Sequence, residues 1–252
     1  MIEIAPQRAG GREVAAVALG LGVIVLAALA AMNGWIVFTR PLWVDEWFTV
    51  LVASHVSPLD VVADLRAGAD GGASLYHLTA WALHAAGALH PVGLRVMSLA
   101  MVVAALTLTY AVLRRRFSVD AGAVGALAAG SNAVVLTYAF DGRFYGLWLL
   151  CCALYAHALG ARRFRTAYVA TASVLLVASH WYGVITLSIM AGAVLLQHGR
   201  RWREGLRAVA PSAAGLVTLA LIAPLARGQR AAISVNSWIP DFTTRQIAGV
   251  TN

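Results

Sequence analysis

The chain has 252 residues, 60% of them hydrophobic and only 12% charged, with a mean hydropathy of +0.76. Soluble domains are about a quarter charged, so an ordinary water-soluble globule is excluded. The formal charge of +8 does not indicate nucleic acid, because every basic residue is arginine and the arginines cluster between apolar stretches rather than on one soluble face.

A polar start, Met1 to Glu13, carries Arg8 and Arg12 and leads into an apolar run at about 14–38. That run is too long for a signal-peptide core and lacks a small-residue cleavage pattern, so it reads as a first span that stays attached. A span needs roughly 20 apolar residues, fewer inside a bundle. Further candidates follow at 92–113, 118–139, 145–160, 166–179, 183–197 and 208–225. The adjacent Cys151 and Cys152 fall inside one of them and read as small core residues, with no metal-ligand spacing nearby.

Between the first two candidates lies a long segment, 39–91. Part of it, 73–90, is apolar enough to span but is short and carries His77 and His84. Arginine placement decides the matter. If 73–90 does not span and the N-terminus is inside, Arg8, Arg12, Arg114, Arg115, Arg116, Arg162, Arg163, Arg165, Arg200, Arg201, Arg203 and Arg207 all fall inside. Six arginines then lie outside (Arg40, Arg66, Arg143, Arg227, Arg230 and Arg245), with Arg95 near a span end. Were 73–90 a span, every later cluster would flip outward. The expected architecture is therefore an all-α integral membrane protein of about seven transmembrane helices, with interfacial helices in the first outer loop. In that loop Leu75, Leu78, Trp81 and Leu83 would make an apolar face, with His77 and His84 to one side. After 225 a polar tail begins near Arg227 and includes Asn236, Trp238, Pro240 and Asp241.

Three groups of chemistry-bearing residues fall on the outer side. Trp43-Val44-Asp45-Glu46-Trp47 sets two carboxylates between interfacial tryptophans, where desolvation makes charge costly and usually marks a site. The plainer alternative is a solvated loop start. Asp141, Arg143 and Tyr145 form the second group: the arginine can grip phosphate with two parallel hydrogen bonds, and the acid can bind a metal or hold the arginine. The alternative is an Asp–Arg pair capping a turn, with Gly142 for flexibility. The third group is His180-Trp181-Tyr182, whose histidine taken alone is better explained as a satisfied interfacial residue than as a ligand. The side was assigned from arginines that belong to none of these groups, and all three share it.

The order of these features resembles the GT-C superfamily of membrane glycosyltransferases, nearest the branch of protein O-mannosyltransferases and the lipid A aminoarabinose transferase (glycosyltransferase family 39). The matching residues are Asp45-Glu46 after the first span, Leu75-Tyr76-His77, Leu94-Arg95-Val96-Met97-Ser98 opening the second, Asp141-x-Arg143-x-Tyr145, and His180-Trp181-Tyr182. The similarity covers about residues 35–200 and departs at Ala73-Ser74, where prolines are common, and at Asp141, where glutamate is more frequent. Family members are usually longer, so the chain is expected to be the N-terminal part of such a module.

The resemblance implies inverting transfer of a sugar, mannose-like or other, from a polyprenyl-phosphate carrier to a glycan, lipid or protein acceptor at the outer face of the plasma membrane. In that scheme Asp45 is the catalytic base and Glu46 orients it or the acceptor. Arg143 clamps the phosphate, with Tyr145, His180, Tyr182, Tyr76 and His77 as supporting substrate contacts. Asp141 binds a metal or holds Arg143; a divalent metal ion is left open. Membrane lipid and the donor are the expected partners, and nucleic acid is not one. A transporter or flippase for a polar or lipid-linked substrate, and a non-catalytic membrane scaffold, are the competing readings.

Overall fold

The structure, a computed structural model, describes residues 11–33, 39–161 and 165–236. Arg8, Arg162, Arg163, Trp238, Pro240, Asp241 and Arg245, and residues 34–38 at the end of the first expected span, lie outside the described residues.

Every regular element among the described residues is helical. In chain order they are α1 (Gly11–Asn33), α2 (Val44–Ala53), α3 (Pro58–Ala67), α4 (Ser74–Ala85), α5 (Pro91–Arg116), α6 (Val119–Gly130), α7 (Ala133–Ala139), α8 (Tyr145–Leu159), α9 (Arg165–Ser179), α10 (Tyr182–His198), α11 (Trp202–Val209) and α12 (Ala213–Asn236). Local chemistry sets several boundaries. Pro58 opens α3 behind the Ser57 cap, whose hydroxyl accepts from Leu59 N at 3.1 Å. That helix stops at Gly68, whose φ of +88° is left-handed and suits glycine. Pro91 opens α5, and the His90 ring caps it by accepting from Gly93 N at 3.1 Å.

α5 and the stretch Tyr182–Ala232 are long and apolar enough to cross a membrane. That stretch is not one straight rod: Gly199 (φ +47°) turns the chain, and α11 packs back against α10. The expected span at 118–139 is broken. Ser131 and Asn132 interrupt it, the Asn132 side chain caps α7 by accepting from Val134 N at 2.9 Å, and α6 and α7 meet at 69°. Counted as one bent span, they make a third candidate. α8 and α9 are apolar but only 15 residues each. The expected tail at Arg227 is instead the last part of α12, which runs on to Asn236.

α5 packs most extensively on α8, and α9 sits between α8 and α12. Gly146 makes the α5–α8 approach close, since a Cβ there would lie 2.9 Å from the Ser98 carbonyl oxygen. Leu147, Cys151, Tyr155, Val169, Leu176 and Leu187 fill the core between α8, α9 and α10. Cys151 and Cys152 are free thiols within it. A second core joins α1 to α5 and the bent pair through Leu21, Val25, Leu106 and Leu136. Outward, Leu19, Val124, Ile189, Leu196 and Leu221 are exposed, which suits a lipid rather than an aqueous surround.

The three short helices α2, α3 and α4 gather at the end of the bundle where α5, α8 and α10 begin. Val52, Val61 and Leu65 close a small core there with Leu225 of α12. That end holds the candidate site.

Candidate functional site

Two ion-pair networks form the floor of this end. The first is built on Glu46, which is fully buried. Its Oε1 accepts from Arg95 Nε at 3.2 Å and from the Gly142 amide at 2.8 Å. Its Oε2 accepts from Arg95 Nη2 and from the Trp43 amide, both at 2.9 Å. The Trp43 bond also caps α2, with Glu46 at its third position. Arg95 is fully buried too and donates onward to the carbonyls of Arg40 at 3.0 Å and Pro41 at 3.1 Å. Burial alone would raise the Glu46 pKa; the bonds from Arg95, Gly142 and Trp43 outweigh it and hold the carboxyl below its ordinary value.

Gly142 is at this point for space rather than for flexibility. A Cβ there would sit 3.1 Å from Glu46 Oε1 and 3.2 Å from Leu94 Cβ. A side chain here would have to push Glu46 or Leu94 aside by a few tenths of an ångström to keep the amide on the carboxylate.

The second network is built on Asp70, in the loop between α3 and α4. Arg143 Nη1 and Nη2 reach its two oxygens at 2.6 and 3.1 Å, and His77 Nε2 lies 2.8 Å from Oδ2. Arg143 Nη1 also donates to the Asp45 carbonyl at 2.7 Å and to Thr49 Oγ1 at 3.2 Å, and the guanidinium lies over the Phe144 ring at 5.0 Å. Burial works against the charge on Asp70, but His77 and Arg143 drive its pKa well below the carboxylate range. Burial likewise opposes the charge on Arg143, and Asp70 more than restores it.

Above this floor stand two carboxylates bonded to nothing among the described residues. Asp45 is exposed, with only its carbonyl engaged. Asp141 is half-buried; burial, and then the charge of Glu46, raise its pKa, with Arg40 and Arg143 pulling the other way. An aromatic wall flanks them. Tyr145 stacks on Tyr138 at 3.9 Å, and the His180 ring stacks on Phe144 at 4.2 Å. Burial, and then the Arg143 charge, lower the His180 pKa to about 4, so the ring is neutral near neutral pH. Its Nδ1 accepts from the Tyr182 amide at 3.1 Å, which places the proton on Nε2, a free donor. Tyr182 is exposed.

The structure thus brings Asp45, Glu46, Asp141, Arg143, Tyr145, His180 and Tyr182 to one end, although it divides their work. Glu46 does not touch the Asp45 side chain; it locks α2 to α5 and to the loop before α8. Tyr76 and His77 are fully buried beneath the surface, and His77 serves Asp70. His84, expected on the same side, is exposed. Asp141 does not hold the Arg143 guanidinium; Asp70 does. No group of three or more His, Cys, Asp or Glu side chains that could cage a metal occurs among the described residues.

Asp70 was outside the sequence-based selection. Its signal was an acid before Gly71-Gly72, seven residues ahead of a histidine in an apolar segment. Arg95 had a signal as well, since an arginine one turn into an apolar helix is expensive without a partner. Compared with family models, curated proteins and solved structures, the chain matches none.

Proposed function

We propose that the chain is a multi-pass membrane glycosyltransferase that moves a sugar from a polyprenyl-phosphate carrier to an acceptor at the outer face of the plasma membrane, with inversion. The observation that carries this reading is the contrast within one site. Two buried ion pairs are saturated with partners, while Asp45 and Asp141 stand above them with their carboxylates unspent. A carboxylate that acts as general base must have a lone pair not already engaged and within reach of solvent and substrate, and Asp45 meets that requirement. Glu46 does not, and its part is to fix the helix that presents Asp45.

In the reaction, Asp45 takes the proton of the acceptor hydroxyl while that oxygen bonds to the sugar's anomeric carbon. The bond from that carbon to the phosphate oxygen breaks, and the electron pair leaves with the lipid phosphate. Asp141, kept protonated to a higher pH than an ordinary aspartate, is suited to hydrogen-bond the sugar or to share the acceptor's proton. His180 Nε2 and the Tyr145 and Tyr182 rings supply donors and stacking faces for a sugar. A metal held by three His, Cys, Asp or Glu side chains does not fit the described residues. A divalent ion held mainly by substrate phosphate would take Asp141, in its ionised form, as its protein ligand, and it would neutralise the leaving phosphate. In this reading the arginine-rich end faces the cytoplasm and the apolar helices make about seven crossings.

The test is incubation of membranes carrying the chain with a panel of radiolabelled polyprenyl-phosphate sugars, with and without chelator. Transfer of label to an acceptor is expected. If no label moves while the protein is abundant and folded, the saturated ion pairs belong to a non-catalytic scaffold or a transporter.

A further inference from the structure

We infer that Arg40, rather than Arg143, is the anion receptor of this site and takes the phosphate of the lipid-linked donor; the inference rests on the transferase reading above. A leaving phosphate needs donors that are not already used. Those of Arg143 Nη1 go to Asp70, Thr49 and the Asp45 carbonyl, and Nη2 binds Asp70. Arg95 lies fully buried against Glu46 and two carbonyls. Neither guanidinium can turn to a substrate without abandoning a buried carboxylate, a costly exchange.

Arg40 differs on each count. Its carbonyl accepts from Arg95 Nη1 at 3.0 Å, so its backbone is anchored to the floor. Its side chain is 32% exposed, and its nearest carboxylate oxygen, Glu46 Oε1, is 4.0 Å away and already accepts two shorter bonds. Its Nε is buried and has no hydrogen-bond partner, a donor left waiting at some cost. The guanidinium lies 5.8 Å from the centre of the Trp43 ring, itself 62% exposed. Tryptophans of this kind sit at headgroup level in a bilayer, which is where a lipid phosphate would be. Arg40 also acts electrostatically on Asp141, so cation and free carboxylates share one neighbourhood.

The charges then balance through the step. The acceptor proton goes to Asp45, and the electron pair released from the anomeric bond settles on a phosphate oxygen beside Arg40. A planar guanidinium on a side chain 32% exposed suits phosphate oxygens, and a small turn of that side chain would bring the unpartnered Nε to them as well.

The experiment uses the full chain in phosphatidylcholine nanodiscs and measures equilibrium binding of a radiolabelled polyprenyl monophosphate. Arg40→Gln keeps the carbonyl that Arg95 needs, so the protein should unfold at the wild-type temperature while binding falls about tenfold or more. Arg40→Met, which keeps the stem over Trp43, serves if the glutamine variant unfolds early. Competition by millimolar inorganic phosphate would identify phosphate alone as sufficient. Arg40-dependent binding that resists such competition would assign the site to the lipid-linked form. Wild-type binding by either folded Arg40 variant overturns the inference and leaves the transferase reading standing. Absence of binding by the wild-type protein overturns both.

Discussion

The two ends of the helix bundle handle charge in opposite ways. At the end described above, charges of both signs are buried, and Glu46, Arg95, Asp70 and Arg143 bind one another and backbone groups until the carboxylates are saturated. At the other end arginines dominate and each has fewer contacts; Arg201 is well exposed, while Arg114 is only 9% exposed and has Nε and Nη1 buried without partners. Arg114 reaches Glu13 at 3.0 Å, Arg116 reaches Gln197 at 3.4 Å, and the 3.7 Å pair of Arg201 and Glu204 is well exposed on both sides. Charge in water or among headgroups needs no partner, and charge taken into a bundle without a full set of partners, as at Arg114, carries a cost that the saturated carboxylates of the first end avoid. An end that bears the cost of burying charge is holding a shape, and the groups left free above that shape are the ones to examine for chemistry.

The largest expected effect that could break this comparison is on turnover. Asp45→Asn preserves shape but cannot accept a proton, and transfer activity should fall on the order of 10²–10⁴-fold. Asp120→Asn, at the basic end, should leave it unchanged. Full activity of Asp45→Asn at wild-type abundance would remove Asp45 from the mechanism.

Next comes stability. Arg95→Met strands the Glu46 carboxylate in the interior, and thermal unfolding in detergent should show a loss of about 3–5 kcal/mol. Arg201→Met should cost no more than about 0.5 kcal/mol. Equal losses at the two ends would erase the distinction.

Sidedness is the third comparison. A cysteine at Ser57 should react with an impermeant thiol reagent added to intact cells, and one at Ser118 only after permeabilisation. Labelling of both from outside would refute the opposed topology.

The smallest effect expected is that of pH. His180 has its pKa lowered from 6.5 to about 4 by burial and by Arg143, so between those values the unfolded chain binds more protons than the folded one. Stability should therefore decline as pH falls from about 6.5 towards 4, and His180→Gln should flatten that decline. Asp141 serves in its protonated form, so its raised pKa predicts that its contribution is lost as pH rises through a value above the ordinary 3.8, and Asp141→Asn, which cannot ionise, should remove that loss.

Much of the helical layout was legible in the sequence because apolar runs ended at strong punctuation. The span expected at 92–113 is α5, bounded by Pro91 and the arginine triplet ending at Arg116. Hydropathy could not show that 118–139 bends at Ser131-Asn132, since both arms are equally apolar and the break is a capping event. Nor could it follow α12 beyond Leu225. Arg227 and Arg230 look like the start of a tail, yet both are exposed while Gln229 turns inward to bond the Gly72 carbonyl at 2.8 Å. At the site, Asp45, Glu46, Arg143 and His180 could be picked out as costly residues in an apolar context. Their division into anchored and free groups depended on partners far away in sequence: Arg143 and Asp70 are 73 residues apart. No local pattern carries such a pairing.

One of these distant bonds also has a consequence in time. Glu46 leaves the ribosome 49 residues before Arg95 and 96 residues before Gly142. At about 5–20 residues per second, the Gly142 amide follows the carboxylate by roughly 5–20 s. Until Arg95 is made Glu46 has only the Trp43 amide, and until Gly142 follows it lacks its last donor, so it must wait in water or at the headgroups while α5 is laid down. A chain interrupted before Gly142 would keep a half-satisfied acid at its surface, and quality-control proteases could recognise that acid as the mark of an unfinished molecule.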